Sequence, residues 1–137
     1  MSVAASLGDS ISLPIHGGAN APSRAREAVL SRLDHRCSER RTSDIALIVS
    51  ELVTNSVVHA RVGADQTVTV ELVFRAEQLL LTVVDPGSSL EPHRRARAPN
   101  GTAGHLGLFL VEVLSSAWGF DRDDDGVTRV WCEISLQ

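Results

Sequence analysis

The segment ELVTNSVVHA, residues 51–60, is the most informative stretch of the sequence, because it places a polar face beside the apolar stripe of a predicted helix. At about 100° of rotation per residue, Glu51, Asn55 and His59 fall on one narrow face next to that stripe. The stripe consists of Ile45, Ala46, Val49, Leu52, Val53 and Val57. Polar side chains so close to a core usually have a functional role, so this helix is the first candidate for a functional site.

Two alternating strands follow the helix, and the second ends on a carboxylate. Apolar residues at every second position predict a strand over 68–74 and a hairpin partner over 79–85. Asp85 is in phase with Leu79, Leu81 and Val83, so its carboxylate points toward the face that those residues occupy. Because a buried, unpaired carboxylate is costly, Asp85 either lies at the rim of a pocket or caps the end of the strand.

The remaining segments complete one two-layer domain. In chain order the predictions are a flexible N-terminus over 1–10, a strand over 11–15, a helix over 22–35, a helix capped by Ser43 or Asp44 that ends near His59, the two strands, a loop over 86–103, a helix over 108–117, and a closing hairpin with strands over 118–122 and 127–136. The loop is either a lid that orders on binding or a plain surface loop. This order lacks the strict alternation of parallel doubly wound folds. We therefore predict that residues 11–137 form a single α/β domain, a two-layer sandwich with a mixed, mostly antiparallel sheet and helices on one face.

Composition excludes several classes of chemistry. The chain has 137 residues, a formal net charge of −4 and no lysine, since all 13 basic residues are arginines. A Walker-type phosphate loop, a eukaryotic-type kinase site and a Schiff-base enzyme each need a lysine. The acidic balance argues against direct nucleic-acid binding. Cys37 and Cys132 are widely separated, and the N-terminus lacks a signal or membrane segment, so we expect a cytoplasmic protein that binds no membrane.

Two groups of residues suit phosphate and metal chemistry. Gly104 and Gly107 flank a turn that opens a helix, where free backbone N–H groups favour an anion. Asn55 offers a hard carbonyl oxygen suited to Mg²⁺, and Glu51, one turn earlier, suits a proton acceptor. Taken singly, each group is equally compatible with an ordinary surface role.

Three motifs in order resemble one family. Residues 51–60 resemble the N-box of the ATPase superfamily that includes gyrase, heat-shock chaperones, mismatch-repair proteins and histidine kinases. The segment 85–87, Asp-Pro-Gly, resembles the adenine-binding box of that superfamily, and 104–111, GHLGLFLV, resembles its second glycine box. The resemblance covers about 11–137, and at this length the chain is most similar to the bacterial anti-sigma-factor serine/threonine kinases.

The resemblance implies a Bergerat-type ATP site and a role for each matching residue. Asp85 would accept the adenine amino group, Gly87 would let the base approach, Asn55 would hold Mg²⁺, and Glu51 would activate a substrate hydroxyl. The phosphates would lie on the backbone of Gly104, His105, Leu106, Gly107 and Leu108. The implied partners are a sigma factor, which is sequestered, and an antagonist protein, which is phosphorylated on Ser or Thr. The family also suggests a homodimer.

The sequence departs from the family pattern at three places. Ser88 and Ser89 stand where a second glycine is common, and His105 stands where a glycine is often found. Arg129 lies near the usual place of a small hydroxyl residue that supports the adenine aspartate, and we expect Thr128 to be out of register for that role. These departures predict weaker nucleotide affinity than is typical. Three alternatives stay open: an inactive ATP-binding module that sequesters a partner, a histidine-kinase catalytic domain, ranked lower because no phospho-acceptor helix precedes the first strand, and a simple ATPase of the chaperone or gyrase type, which would normally need a transducer domain that 137 residues cannot hold.

Overall fold

The chain folds into a five-stranded antiparallel sheet covered by helices. The computed structural model describes residues 10–59, 62–86 and 106–137, with His59 and residues 106–108 described by their backbone only. The elements are β1 (Ser10–His16), α1 (Ala21–Leu33), α2 (Glu39–His59), β2 (Thr67–Arg75), β3 (Gln78–Asp85), α3 (Leu106–Leu114), β4 (Ala117–Arg122) and β5 (Thr128–Ser135). This order of elements confirms the predicted α/β fold.

The strands lie in the order β1-β2-β3-β5-β4, and each pairing is antiparallel. Pro14 lies in β1, at one edge of the sheet, where its missing N–H costs no interior hydrogen bond. At the other edge, Gly119 of β4 lies opposite Trp131 of β5. A Cβ atom at Gly119 would lie 2.7 Å from Cζ2 of the indole, so glycine allows the ring to lie across β4.

The core lies between the helices and one face of the sheet. Alternation along β2 and β3 buries one set of side chains, as predicted, and α2 supplies the other side of this layer. The fully buried large side chains include Ile45, Ile48, Leu52, Leu72, Leu79, Leu81 and Ile134. In the described part of the chain, no helix combines the length and the apolar character needed to cross a bilayer.

Several predicted boundaries were wrong, and α2 shows why. It begins at Glu39 rather than after Ser43 or Asp44, because Ser38 acts as the N-cap. The Ser38 hydroxyl accepts a hydrogen bond from the backbone N–H of Arg41 at 3.2 Å, which satisfies one free donor of the first turn. The charged residues of that turn concealed the helix from a search for apolar spacing.

The boundaries of α1 and α3 also differ from the predictions, because both helices end before the predicted residues. α1 ends at Leu33, two residues early, and His35 adopts a positive φ of 61° that a right-handed helix cannot continue. α3 covers Leu106–Leu114 rather than 108–117, since Ala117 already pairs with Glu133 as the first residue of β4. The predicted loop over 86–103 lies, except for Pro86, outside the described residues.

Candidate functional site

The polar face of α2 lies next to the core, as the spacing predicts. Glu51 and Asn55 are four residues apart on the helix, and both side chains are half-buried. Residues at this spacing are neighbours on a helix surface. The carboxylate of Glu51 and the amide of Asn55 therefore lie one turn apart, at the border between the buried stripe and solvent.

β3 delivers a second carboxylate to the interior. Asp85 is the last residue of β3, and only 2% of its surface is exposed. The hydroxyl of Ser56, 4% exposed, donates a hydrogen bond to Oδ2 of Asp85 at 3.3 Å. The carboxylate of Asp85 therefore points into the protein, as its phase in the strand predicts, and it is hydrogen-bonded there.

The register of β5 corrects one prediction. Thr128 is directly opposite Asp85 in the β3–β5 ladder, and it is buried. Its hydroxyl lies 3.4 Å from the carbonyl oxygen of Gly126, to which it donates a hydrogen bond. The expectation that Thr128 lies out of register was wrong, because β5 pairs with β3 in a register that makes Thr128 the partner of Asp85. Arg129, the next residue, instead forms ion pairs with Asp121 and Asp123 at 3.9 and 3.6 Å.

Ser56 is the site residue that the motif analysis missed. It follows Asn55 directly, so its hydrogen bond ties Asp85 of the sheet to the turn of α2 that carries Asn55. A signal was present in the sequence. Ser56 lies seven residues after Val49, on the buried stripe, where an apolar residue is the usual choice. A buried hydroxyl in that position needs a hydrogen-bonding partner, and Asp85 supplies it.

The glycine-box residues are described only in part. Gly87, Gly104 and His105 lie outside the described residues, as do Ser88 and Ser89. The backbone of Leu106, Gly107 and Leu108 forms the first turn of α3, which contacts α2 and β4. The first turn of any helix has backbone N–H groups without partners inside the helix, and such groups can bind an anion. Among the described residues, the structure thus joins Ser56, Asp85 and Thr128, while Glu51 and Asn55 lie on the helix that carries Ser56. Of the glycine box, only the start of α3 is described.

The donor groups fit a magnesium ion held mainly by other ligands. Within the described ranges, no group of three or more His, Cys, Asp or Glu side chains is placed to hold a metal ion. Mg²⁺ commonly takes one or two oxygens from protein and the rest from phosphate and water. The half-exposed carbonyl oxygen of Asn55 is a donor of that kind.

The chain is similar in sequence to known serine-protein kinases. The chain is 38% identical over 82 residues to the serine-protein kinase RsbW of Listeria monocytogenes serotype 4a (strain HCC23), an alignment that covers 52% of each chain. The RsbW kinase of Listeria innocua serovar 6a (strain ATCC BAA-680 / CLIP 11262) matches with the same identity and coverage. The chain thus spans about half the length of the curated relatives that it matches.

A solved structure matches the fold over nearly the whole chain. It contains the RsbU and RsbW domains of Rv1364c from Mycobacterium tuberculosis, and it superposes with a TM-score of 0.70 at 19% sequence identity. The match covers 93% of this chain and 32% of the other. The family described as histidine kinase-like ATPase domain matches residues 19–133, a range that contains α1, α2, the strands β2 to β4, α3 and most of β5. This chain therefore belongs to the histidine kinase-like ATPase domain family.

Proposed function

We propose that this chain binds ATP and transfers its γ-phosphoryl group to a serine or threonine hydroxyl of an antagonist protein, and that it also sequesters a sigma factor. The observation that carries the proposal is the burial of Asp85 at the end of β3, where its carboxylate accepts a hydrogen bond from Ser56, the residue next to Asn55. The similarity to serine-protein kinases named RsbW supports the reaction class.

The buried carboxylate suits recognition of adenine. An ionised carboxylate only accepts hydrogen bonds, and the exocyclic amino group of adenine is a donor. Ser56 holds one oxygen of Asp85, so a base that approaches the carboxyl group would meet an acceptor that is already oriented. A base with a carbonyl at the same position would face repulsion between two acceptors.

The polar face of α2 suits the other end of the nucleotide. Asn55 and the first turn of α3 would hold the metal ion and the phosphates. Mg²⁺ would neutralise phosphate charge that a lysine-free chain cannot neutralise with lysine. Glu51 would accept the hydroxyl proton as the substrate oxygen bonds to the γ-phosphorus and the bond from that phosphorus to the bridging oxygen of ADP breaks.

Calorimetry with ATP and Mg²⁺ tests the binding step. We expect the wild type to bind, and we expect Asp85→Asn to weaken binding about tenfold or more, because a hydrogen bond to a charged group is lost. Asn55→Ala should also weaken binding, whereas Asp124→Asn, on the exposed β4–β5 turn, serves as the matched control. A wild type that binds no ATP would overturn the proposal.

Transfer of labelled phosphate tests the chemical step. Small proteins of the antagonist type, sought among the neighbouring genes, serve as the substrates assayed. Glu51→Ala should lower transfer about 100-fold or more while ATP binding persists, since general base catalysis contributes that much. Glu71→Ala, an exposed change in β2, is the control. Unchanged transfer in Glu51→Ala would remove Glu51 as the base, and binding without any transfer by wild type would favour the inactive, partner-sequestering alternative.

A further inference from the structure

Ser56 carries a buried hydroxyl group that has no direct role in the proposed reaction. It lies on α2 between Asn55 and Val57, and its Oγ is 3.3 Å from Oδ2 of Asp85. Both side chains are nearly inaccessible, at 4% and 2% exposure. Because an ionised carboxylate has no proton to give, the hydroxyl of Ser56 is the donor.

This hydrogen bond holds the carboxylate of Asp85 from the side of the helix. On the sheet side, Thr128 is its direct neighbour in the adjoining strand. A carboxyl group has one free torsion at its terminal bond, and that torsion is broad unless a partner restrains it. With Oδ2 engaged by Ser56, the plane of the carboxylate is fixed relative to α2.

We propose that Ser56 is a positioning residue that sets the base selectivity of the site, by orienting Asp85 toward the exocyclic amino group of a purine. The inference rests on the proposed ATP binding and adds to it the residue that makes the carboxylate selective. Ser56 touches neither the reacting phosphorus nor the substrate hydroxyl in this assignment. It acts through Asp85, and its effect falls on the base rather than on the phosphates.

The test compares ATP with inosine triphosphate, which carries an oxygen in place of the exocyclic amino group. The dissociation constant for inosine triphosphate divided by that for ATP measures how well Asp85 recognises the amino group. This ratio is independent of contacts to ribose and phosphate, which both nucleotides share. We expect Ser56→Ala to reduce this ratio about five- to tenfold, mainly through weaker ATP binding, as expected for loss of a hydrogen bond to a charged group. Ser56→Thr keeps the hydroxyl and should keep the ratio.

Ser50→Ala provides a matched control on the same helix. The Ser50 hydroxyl accepts a hydrogen bond from Nη1 of Arg26 at 2.8 Å, so this variant also loses a side-chain hydrogen bond, but one made to α1. Its nucleotide ratio should equal that of the wild type. Thermal unfolding of each variant confirms that the proteins compared are folded.

The outcomes separate the two proposals. If the wild type prefers ATP and Ser56→Ala retains the full ratio, the role of Ser56 is overturned while ATP binding stands. Equal weakening of both nucleotides in Ser56→Ala also overturns it, because a merely structural role affects both alike. A wild type that binds neither nucleotide overturns the proposed function itself, and the role of Ser56 with it.

Discussion

Asp85 has a side chain that is costly to bury, and its surroundings reduce that cost. An isolated charge in the interior is strongly unfavourable, whereas a hydrogen-bonded one is tolerated. The Ser56 hydroxyl provides such a bond, and Thr128 lies alongside in the next strand. Two elements distant in sequence thus meet at one carboxyl group.

Sequence spacing predicts the direction of Asp85 but not its neighbours. The period of a strand is two, so the phase of Asp85 with Leu79 follows from counting alone. Thr128 depends on the register of β5, and a shift of one residue would have brought a different side chain opposite Asp85. To predict that Ser56 is a partner of Asp85, one must know which strand end lies beneath α2, and local periodicity contains no such information.

Cys132 provides a prediction about pH and stability. Burial raises the pKa of its thiol from 9.0 to about 12, and the nearby charge of Glu133 adds to the rise. The neutral thiol therefore stabilises the fold fully below the unfolded pKa of 9.0, and this contribution is lost as the pH rises through about 12. We expect the free energy of unfolding in urea to fall more over this range for wild type than for Cys132→Val. Equal decreases in the two proteins would contradict the assignment.

Alkylation checks the same thiol independently. At pH 9, iodoacetamide should modify Cys37 of the native protein, which is only half-buried. It should leave Cys132 unmodified, because only a thiolate reacts and burial raises the pKa of this thiol to about 12. Unfolding in urea should make both cysteines reactive, and mass spectrometry of tryptic peptides distinguishes the two sites.

At the scale of elements, the turn after β1 is locked against the segment after α2. The backbone N–H of Gly17 donates to the carbonyl of Gln66 at 2.9 Å, and that of Gly18 donates to the carbonyl of Val62 at 3.1 Å. A Cβ atom at Gly17 would lie 2.6 Å from the carbonyl oxygen of Val62. Backbone at such a distance cannot move without disturbing the entry into β2.

Gly17→Ala should therefore destabilise the protein. We expect its free energy of unfolding to fall by about 1–3 kcal/mol, as for other overpacked positions, with circular dichroism in urea as the measurement. Gly63→Ala is the matched control, because its new Cβ would meet only the flexible Asp65 side chain, at 3.3 Å. A Gly17→Ala variant as stable as the Gly63→Ala variant would disprove the tight contact.

The elements themselves were largely predictable from sequence, but their ends were not. Alternation identified β2 and β3 because one face of each strand is buried. The start of α2 was predicted at the wrong residue, because its first turn lies mostly in solvent and carries the charged residues Glu39, Arg40 and Arg41. Capping by Ser38 determined that boundary, and a serine before charged residues is too common a pattern to identify a cap by itself.

In the part of the chain that the structure describes, the sheet has three interior strands and two edge strands. β2, β3 and β5 each have a neighbour on both sides, whereas β1 and β4 have one. The predicted antiparallel character follows from short connections, but the insertion of β5 between β3 and β4 does not. That placement depends on contacts between segments more than 40 residues apart in the sequence, such as Leu81 with Cys132.

The rates of backbone amide hydrogen exchange should differ between the interior strands and the edge strands. Backbone amides of β3 and β5 open only when the sheet is disrupted, so they should exchange slowest, and those of β4, with one paired edge, should exchange earlier. Mass spectrometry of peptic fragments gives the comparison. Protection in β4 equal to that in β3 would show that a further strand or partner covers this edge in solution.

The position of β5 also has a consequence during synthesis on the ribosome. β1, β2 and β3 emerge first, and β3 then presents a row of unpaired backbone groups until residues 128–135 have been made. Asp85 meets Thr128 only at that moment, some 43 residues after its own translation. A nascent chain therefore passes through an interval in which its central strand is open to other chains, and the surroundings of Asp85 are completed only when the last of the described strands joins the sheet.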